Sequence, residues 1–382
     1  MKNIKLSLVA IGTLSMLSCL NANTLSEALT NGKVSGELKS QFYQKESNTS
    51  KTVNIWTNGL NLSYDTADYN GLTAGVTFQA ASVAREDLDE NLTAYNADQN
   101  VSGSVLSQAY IQYKIDNTNI KVGRQYLSSP LIASSGSRIF KESFEAATLT
   151  NTDIKDTSIS LMYVKKYQGR TDGNEGAPSF DRLGDGVFSI YATNKSIKNL
   201  SLAAQYVNAK NLLANNTKDV SIYYLNGEYD FNIFKLGAQY YGSDDNGAAN
   251  NDGNAYALKA STKLGDLSLA ASYSEVSKDG GVDAWHLGNG ADYIYTWSWY
   301  AGSRYSADMK ATKLEAGYKF TDKLSANIMN ISWKTGTSST TRETDFIVDY
   351  KASKDLSLRL LHGQLDNAGN EYQSRLYASY KF

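Results

Sequence analysis

Cysteine, proline and histidine are almost missing from this chain: 382 residues carry one Cys, two Pro and two His. The cysteine, Cys19, falls inside the first 22 residues, so a chain cleaved after Ala22 has no thiol and no disulfide framework. No Pro-rich or Ser-rich linker divides the sequence, and the length reads as one large architecture rather than two or three soluble domains. Charge of one sign is lacking too, since a formal net charge of -2 offers no bulk attraction to nucleic acid. After the opening segment no apolar run approaches the ~18 residues that a membrane helix needs. Such a chain spans a membrane only as a closed barrel, because hydrocarbon leaves few ways to satisfy every backbone N–H and C=O.

The scarcity of histidine also bears on chemistry. His286 lies in a long loop and His362 at a strand end, neither beside a recognisable nucleophile motif. No phosphate-binding glycine loop or paired-histidine metal motif appears, and Asp172-Gly173-Asn174 and Asp244-Asp245-Asn246 read as turns rather than calcium sites. No catalytic residue, metal or cofactor is expected.

Residues 1–22 read as an export signal, with Lys2 and Lys5 ahead of the apolar stretch Leu6 to Leu17 and a small-residue exit at Asn21-Ala22. Cys19 as a lipoprotein anchor is the rival reading, and Met16 fits poorly at the start of such a box. Thr24 to Asn31 suits a short helix on the periplasmic side, ended by Gly32.

What the chain does have, with 29 Gly and 27 Tyr, is period-two alternation in stretches of about ten residues. In the closing segment Tyr372, Ser374, Leu376, Ala378, Tyr380 and Phe382 fall on one side, and Gln373, Arg375, Tyr377, Ser379 and Lys381 on the other. The same pattern puts Val34, Leu38 and Phe42 opposite Glu37, Lys39 and Gln41, and recurs at Leu72, Ala74, Val76 and Phe78 and at Leu314, Ala316, Tyr318 and Phe320. Short polar turns such as Asp116 to Asn119, Gly265-Asp266 and Ala352 to Asp355 alternate with long connections. The long ones include Lys45 to Asn54, Ala81 to Ser104, Gln125 to Glu142, Lys165 to Gly186 and Ser277 to Asp308. The expected fold is all-β: a transmembrane antiparallel up-and-down barrel over residues 23–382, about eighteen strands, with short periplasmic turns and long extracellular loops. Tyr43, Tyr64, Tyr113, Tyr273, Tyr318 and Tyr380 are expected in aromatic girdles at the membrane interfaces.

If the apolar alternate faces lipid, the other lines a lumen. Lys39, Lys114, Lys121, Lys235, Lys259, Lys313, Lys319, Arg359, Arg375 and Lys381 fall on that face, against the acids Glu37, Glu315, Asp345 and Asp349. A basic lining concentrates anions. The connection Gln125 to Glu142 is the candidate constriction, rich in Ser and Gly, with Arg124, Arg138, Lys141 and Glu142 placed to set opposite charges across a passage. A second long connection carries Trp285, His286, Tyr293, Tyr295, Trp297, Trp299 and Tyr300, whose alternation suggests a hairpin over the entrance.

The run Lys121-Val122-Gly123-Arg124-Gln125, followed by Ser129-Pro130-Leu131 and Gly136-Ser137-Arg138-Ile139-Phe140, resembles the third-loop region of the OprD-type outer-membrane porins. The resemblance extends over the mature chain through the strand count and the terminal aromatic, Phe382. It implies a passive channel in the cell outer membrane for small hydrophilic solutes bearing carboxylates, and an arginine track onto which Arg124, Arg359 and Arg375 map. It also implies that the barrel assembly machinery reads the closing strand. Outer-membrane lipids and the solutes are the other expected partners, nucleic acid is not one, and monomer and homotrimer both remain open. The mainly Lys lining departs from the family's pattern. Two rival functions stand beside the channel: a barrel acting through its surface loops in adhesion, and an outer-membrane enzyme.

Overall fold

Each alternating stretch forms a strand, because period-two side chains with one apolar face bury well only when neighbouring backbones pair. The computed structural model describes residues 22–382 apart from 49, 88–97, 213–217, 246–251, 284–286, 292 and 367–369. The expected export signal, all but its last residue, lies outside the described residues, as do Trp285 and His286.

The first nine strands are β1 Lys33–Ser47, β2 Ser50–Asp65, β3 Leu72–Asp87, β4 Gly103–Ile115, β5 Thr118–Gln125, β6 Ser143–Asn151, β7 Thr157–Gln168, β8 Phe180–Asn194 and β9 Leu200–Lys210. The second nine are β10 Val220–Asp230, β11 Phe234–Asp245, β12 Asn254–Leu264, β13 Leu267–Val276, β14 Met309–Lys319, β15 Leu324–Thr335, β16 Thr341–Lys351, β17 Leu356–Asp366 and β18 Glu371–Lys381. Every strand pairs antiparallel with its sequence neighbours, and β1 also pairs with β18, so the eighteen-stranded sheet closes on itself. Closure removes the unpaired edges that an open sheet would expose.

The helix α1, Leu25–Thr30, forms where expected, because Thr24 caps it by accepting the Glu27 N–H at 3.1 Å while the Glu27 carboxylate accepts from Asn23 N–H at 2.7 Å. Ala67 N–H donates to Ala28 C=O, tying the helix to the β2–β3 turn at the short-turn end.

Val34, Leu38, Phe42, Val76, Phe78, Ile111, Leu258, Leu314, Leu360 and Leu376 all point outward and are exposed. So continuous an apolar exterior belongs in lipid rather than in water. Tyr113, Tyr273, Tyr318 and Tyr380 share this face, whereas Tyr43 does not: it is fully buried inside, because Phe42 takes the outward position one residue earlier.

One expected long loop is absent. Lys45 to Asn54 is strand nearly throughout its described residues, with Lys45 opposite Val53 and Ser47 opposite Ser50. The reason is length. β1 has 15 residues and β2 and β3 have 16 each, which at ~3.3 Å per residue is roughly 50 Å, about twice the ~25 Å apolar belt of a barrel. Their polar ends stand clear of lipid and carry no apolar alternation to mark them as strand.

Inside the long-loop half of the barrel, two connections pack against the wall. Leu127, Leu131 and Ile132 of the connection 126–142, and Val282, Leu287, Ile294 and Tyr305 of the connection 277–308, form one core with Phe144, Val164, Val187, Val207, Ile222, Tyr241 and Ala257 of the inner wall. Burying Leu131 or Ile132 in this way contributes about 1.5–3 kcal/mol each. That burial holds both connections inside the barrel instead of above it.

Candidate constriction and its charge lining

The third loop, residues 126–142, joins β5 to β6 and crosses the interior. It turns at Ser129-Pro130, where Pro fixes φ for the turn and Ser129 exchanges hydrogen bonds with Ile132. On one side Leu131 N–H donates to Gln205 Oε1 of β9 at 2.8 Å. On the other, Lys39 Nζ of β1 donates to the carbonyls of Gly136 (2.6 Å) and Arg138 (2.9 Å), and Tyr377 OH of β18 donates to Ser137 C=O at 2.9 Å. Gln79 of β3 brackets Lys141, accepting its N–H at 2.8 Å and donating to its C=O at 2.9 Å.

The seventh loop, residues 277–308, is a second inward fold, and sequence reasoning missed its course. In place of a hairpin over the entrance it docks on the third loop and then lines the wall. Ala133 N–H donates to Leu287 C=O at 2.9 Å and Gly290 N–H to Ala133 C=O at 3.2 Å. Tyr295 N–H donates to Gln239 Oε1 of β11, and Trp297 C=O accepts from Lys313 Nζ of β14. Tyr293, Trp297 and Trp299 stack edge to face in sequence, with centroids 4.7 and 4.8 Å apart. Tyr293, Trp297, Tyr305, Asn289, Ser303 and Ser306 border an open cavity of about 460 Å³.

The residues expected at the site take several different places. Glu142, the last residue of the third loop, is fully buried: its carboxylate accepts from Ser135 N–H (2.9 Å), Asn289 N–H (2.8 Å), Tyr167 OH (2.7 Å) and Asn289 Nδ2. Arg170 Nε lies 3.3 Å from Glu142 Oε1, at ion-pair distance but without hydrogen-bond geometry. Glu142 therefore fastens the loops and does not face a charge across the passage. Arg138 is 8% exposed and pairs with Asp98 at 3.0 Å, a carboxylate also 3.3 Å from Arg170. Burial works against the charged form of Asp98, and Arg138, Arg170 and Arg375 together outweigh it, holding its pKa below the ordinary carboxylate value. Arg375 is nearly buried and donates to Gln373.

Lys141 Nζ rests 3.9 Å from the centroid of the Tyr126 ring, and Lys121 Nζ 3.4 Å from that of Tyr110. Arg359 is spent locally in a two-point pair with Asp349, at 2.6 and 3.1 Å. Asp345 is buried and accepts from Trp299 N–H at 2.9 Å. Arg124 is a correction: it has the parity of the outward-facing Ile120 and Val122, lies 3.8 Å from Glu145 and stacks on Phe180, so it leaves the lumen altogether. Sequence reading also passed over Lys45, Asp98, Arg170, Arg304 and Glu343, all held by contacts remote in sequence. His362 faces outward between the rings of Phe346 and Tyr372.

A closed barrel with a lipid-facing belt and two loops folded into its lumen defines a transmembrane channel barrel. A family model described as Gram-negative porin matches residues 18–370, and the chain belongs to that family. No curated protein matches it. Among solved structures, Pseudomonas aeruginosa OccK8 (OprE) superposes with a TM-score of 0.74 at 16% identity, covering 92% of this chain and 98% of that one. Acinetobacter baumannii OccAB2 gives 0.75 at 17% identity over 93% and 99%, and P. aeruginosa OpdK with vanillate gives 0.74 at 15% over 92% and 99%. The barrel thus shares the fold of these solved structures, and as a Gram-negative porin the protein is an outer-membrane channel for small solutes.

Proposed function

We propose that the channel is passive and prefers anions, carboxylate-bearing solutes above all. The observation that carries this is the balance of charge around the third loop. Lys39, Lys141, Arg138, Arg170 and Arg375 converge there, and the acids that interact with them are Asp98, Glu142 and Glu37. The lysine charges are the least compensated. Lys39 is held by carbonyl oxygens and Lys141 by a ring face, and neither forms an ion pair among the described residues. An incompletely compensated cation at a narrow point raises the local concentration of anions and lowers their barrier to passage. Vanillate, the solute named with OpdK, is of the same carboxylate class.

The test is single-channel recording of the mature protein in a planar bilayer under a salt gradient. Discrete steps with a reversal potential on the anion side are expected, and a K39Q/K141Q double variant should lose most of that displacement. A folded barrel without steps would overturn the channel reading; steps with cation preference would overturn the anion preference alone. On the same reading residues 1–22 are removed on export and 23–382 form the barrel, which the N-terminal sequence of protein taken from the outer membrane tests directly.

A further inference from the structure

Glu343 and Asp345 have no place in a basic lining, yet both project inward from β16, two residues apart, and each is 1% exposed. The seventh loop turns directly over them. Trp299 N–H donates to Asp345 Oδ2 at 2.9 Å, Tyr300 N–H to Glu343 Oε1 at 2.9 Å, and Ala301 N–H to Glu343 Oε2 at 3.1 Å. Arg304 of the same loop completes the arrangement, with Nη2 2.7 Å from Ser298 Oγ and 3.4 Å from Glu343 Oε2. Its guanidinium lies 3.8 Å from the centroid of the Trp333 ring on β15. Ser298 N–H donates to Gly302 C=O at 3.1 Å, fastening the turn on itself.

The wall is shaped to receive this turn. A Cβ at Gly363 of β17 would stand 2.8 Å from Asp345 Oδ1 and 3.2 Å from Tyr300 Cβ, so only glycine leaves room for both. Trp299 packs on Met329, Ile331, Ile347 and Leu361 of the same wall. Carboxylates so deeply buried need donors, and successive backbone amides with a guanidinium are what an anion site supplies. Here the acceptors are the wall's own carboxyl oxygens, and what they bind is a loop.

We propose that Glu343 and Asp345 are positioning residues for the channel: they fix the turn 298–304 against the β15–β17 wall and so set the width of the bore, without touching solute. The proposal rests on the channel reading and extends it to what holds the second inward loop in place. It also explains why two lumenal acids coexist with anion preference, since the loop covers both of them.

Two readouts test it in the full mature protein. Hydrogen exchange at the amides of Trp299, Tyr300 and Ala301 reads the anchor, and the largest neutral polymer that enters the open channel reads the bore. In E343A and D345A, the exchange at these amides should quicken and larger polymers should enter. E343Q/D345N keeps the acceptor oxygens and should stay near the parent. G363A keeps both carboxylates but crowds the socket, and should reproduce the wider bore. Heat-modifiable gel mobility confirms that each barrel is folded. The proposal is overturned if folded alanine variants keep the parent's exchange and polymer limit. It is equally overturned if they shift only the reversal potential, which would make the acids ordinary lining charge. Exchange that responds as expected in a barrel giving no steps would sink the channel reading while leaving the anchor standing.

Discussion

Lys141 is the residue whose titration tests the proposed anion preference most directly. It was legible as a basic residue at the candidate constriction, but its surroundings were not. Burial lowers its pKa below the ordinary 10.5, Lys381 and Lys39 lower it further, and Glu37 only partly offsets them. A lowered pKa means that the uncharged form takes over at a lower pH than for a free lysine. Anion preference should therefore fall as pH rises from neutral toward the ordinary lysine range of about 10, and the fall should begin before an exposed lysine would titrate. Reversal potentials across that range check this; a Lys141→Gln variant with the same pH profile as the parent would rule Lys141 out as the group responsible. Arg124, by contrast, reads as basic and adjacent to the loop, and only the parity of Ile120 and Val122 sends it to the outer face. In a strand one residue of register decides inside from outside, and a motif spanning a strand end does not carry that information.

Among elements, the strands were legible because alternation is local, and the third loop because a Ser/Gly-rich stretch interrupts it. The seventh loop's course was not, since its anchors lie far away in sequence: Glu142 for Asn289, Gln239 for Tyr295, and β16 for the turn beyond Trp299. Glu142 is where these elements meet. Its carboxylate joins the third loop at Ser135, the seventh at Asn289, β7 at Tyr167 and the connection 169–179 at Arg170. Removing one member of such a buried set costs about 3 kcal/mol, the low end of the usual range because Arg170 keeps Asp98. The strand ladders do not depend on it. Glu142→Ala should leave the thermal unfolding of the barrel almost unchanged while the amides of Ser135 and Asn289 exchange roughly 100-fold faster. Glu142→Gln, which keeps an acceptor oxygen, should fall between the two. Unchanged protection at both amides in a folded Glu142→Ala barrel would show that the apolar core alone holds the loops.

At the scale of the whole molecule, stability comes from closure. β1 and β18 share ten registered pairs, and Gly36 and Phe382 exchange two further backbone hydrogen bonds of 2.9 and 3.1 Å at the short-turn end. The Phe382 side chain adds little to this ladder, because it is 50% exposed on the lipid-facing side. Deleting Phe382 removes those two bonds, about 1 kcal/mol each, from a sheet whose other seventeen strand pairings are untouched. Refolding of the deletion variant into detergent or lipid should therefore succeed with nearly the parent's yield and melting behaviour. Assembly in cells is a separate demand, if the terminal aromatic is what the assembly machinery reads. The expected outcome is a large loss of outer-membrane protein with intact refolding in vitro, seen by comparing heat-modifiable barrel from membranes with barrel refolded from denaturant. Equal loss in both would place Phe382 in the fold itself, and no loss in either would remove it from assembly and leave the ring as one more side chain in the lipid-facing belt.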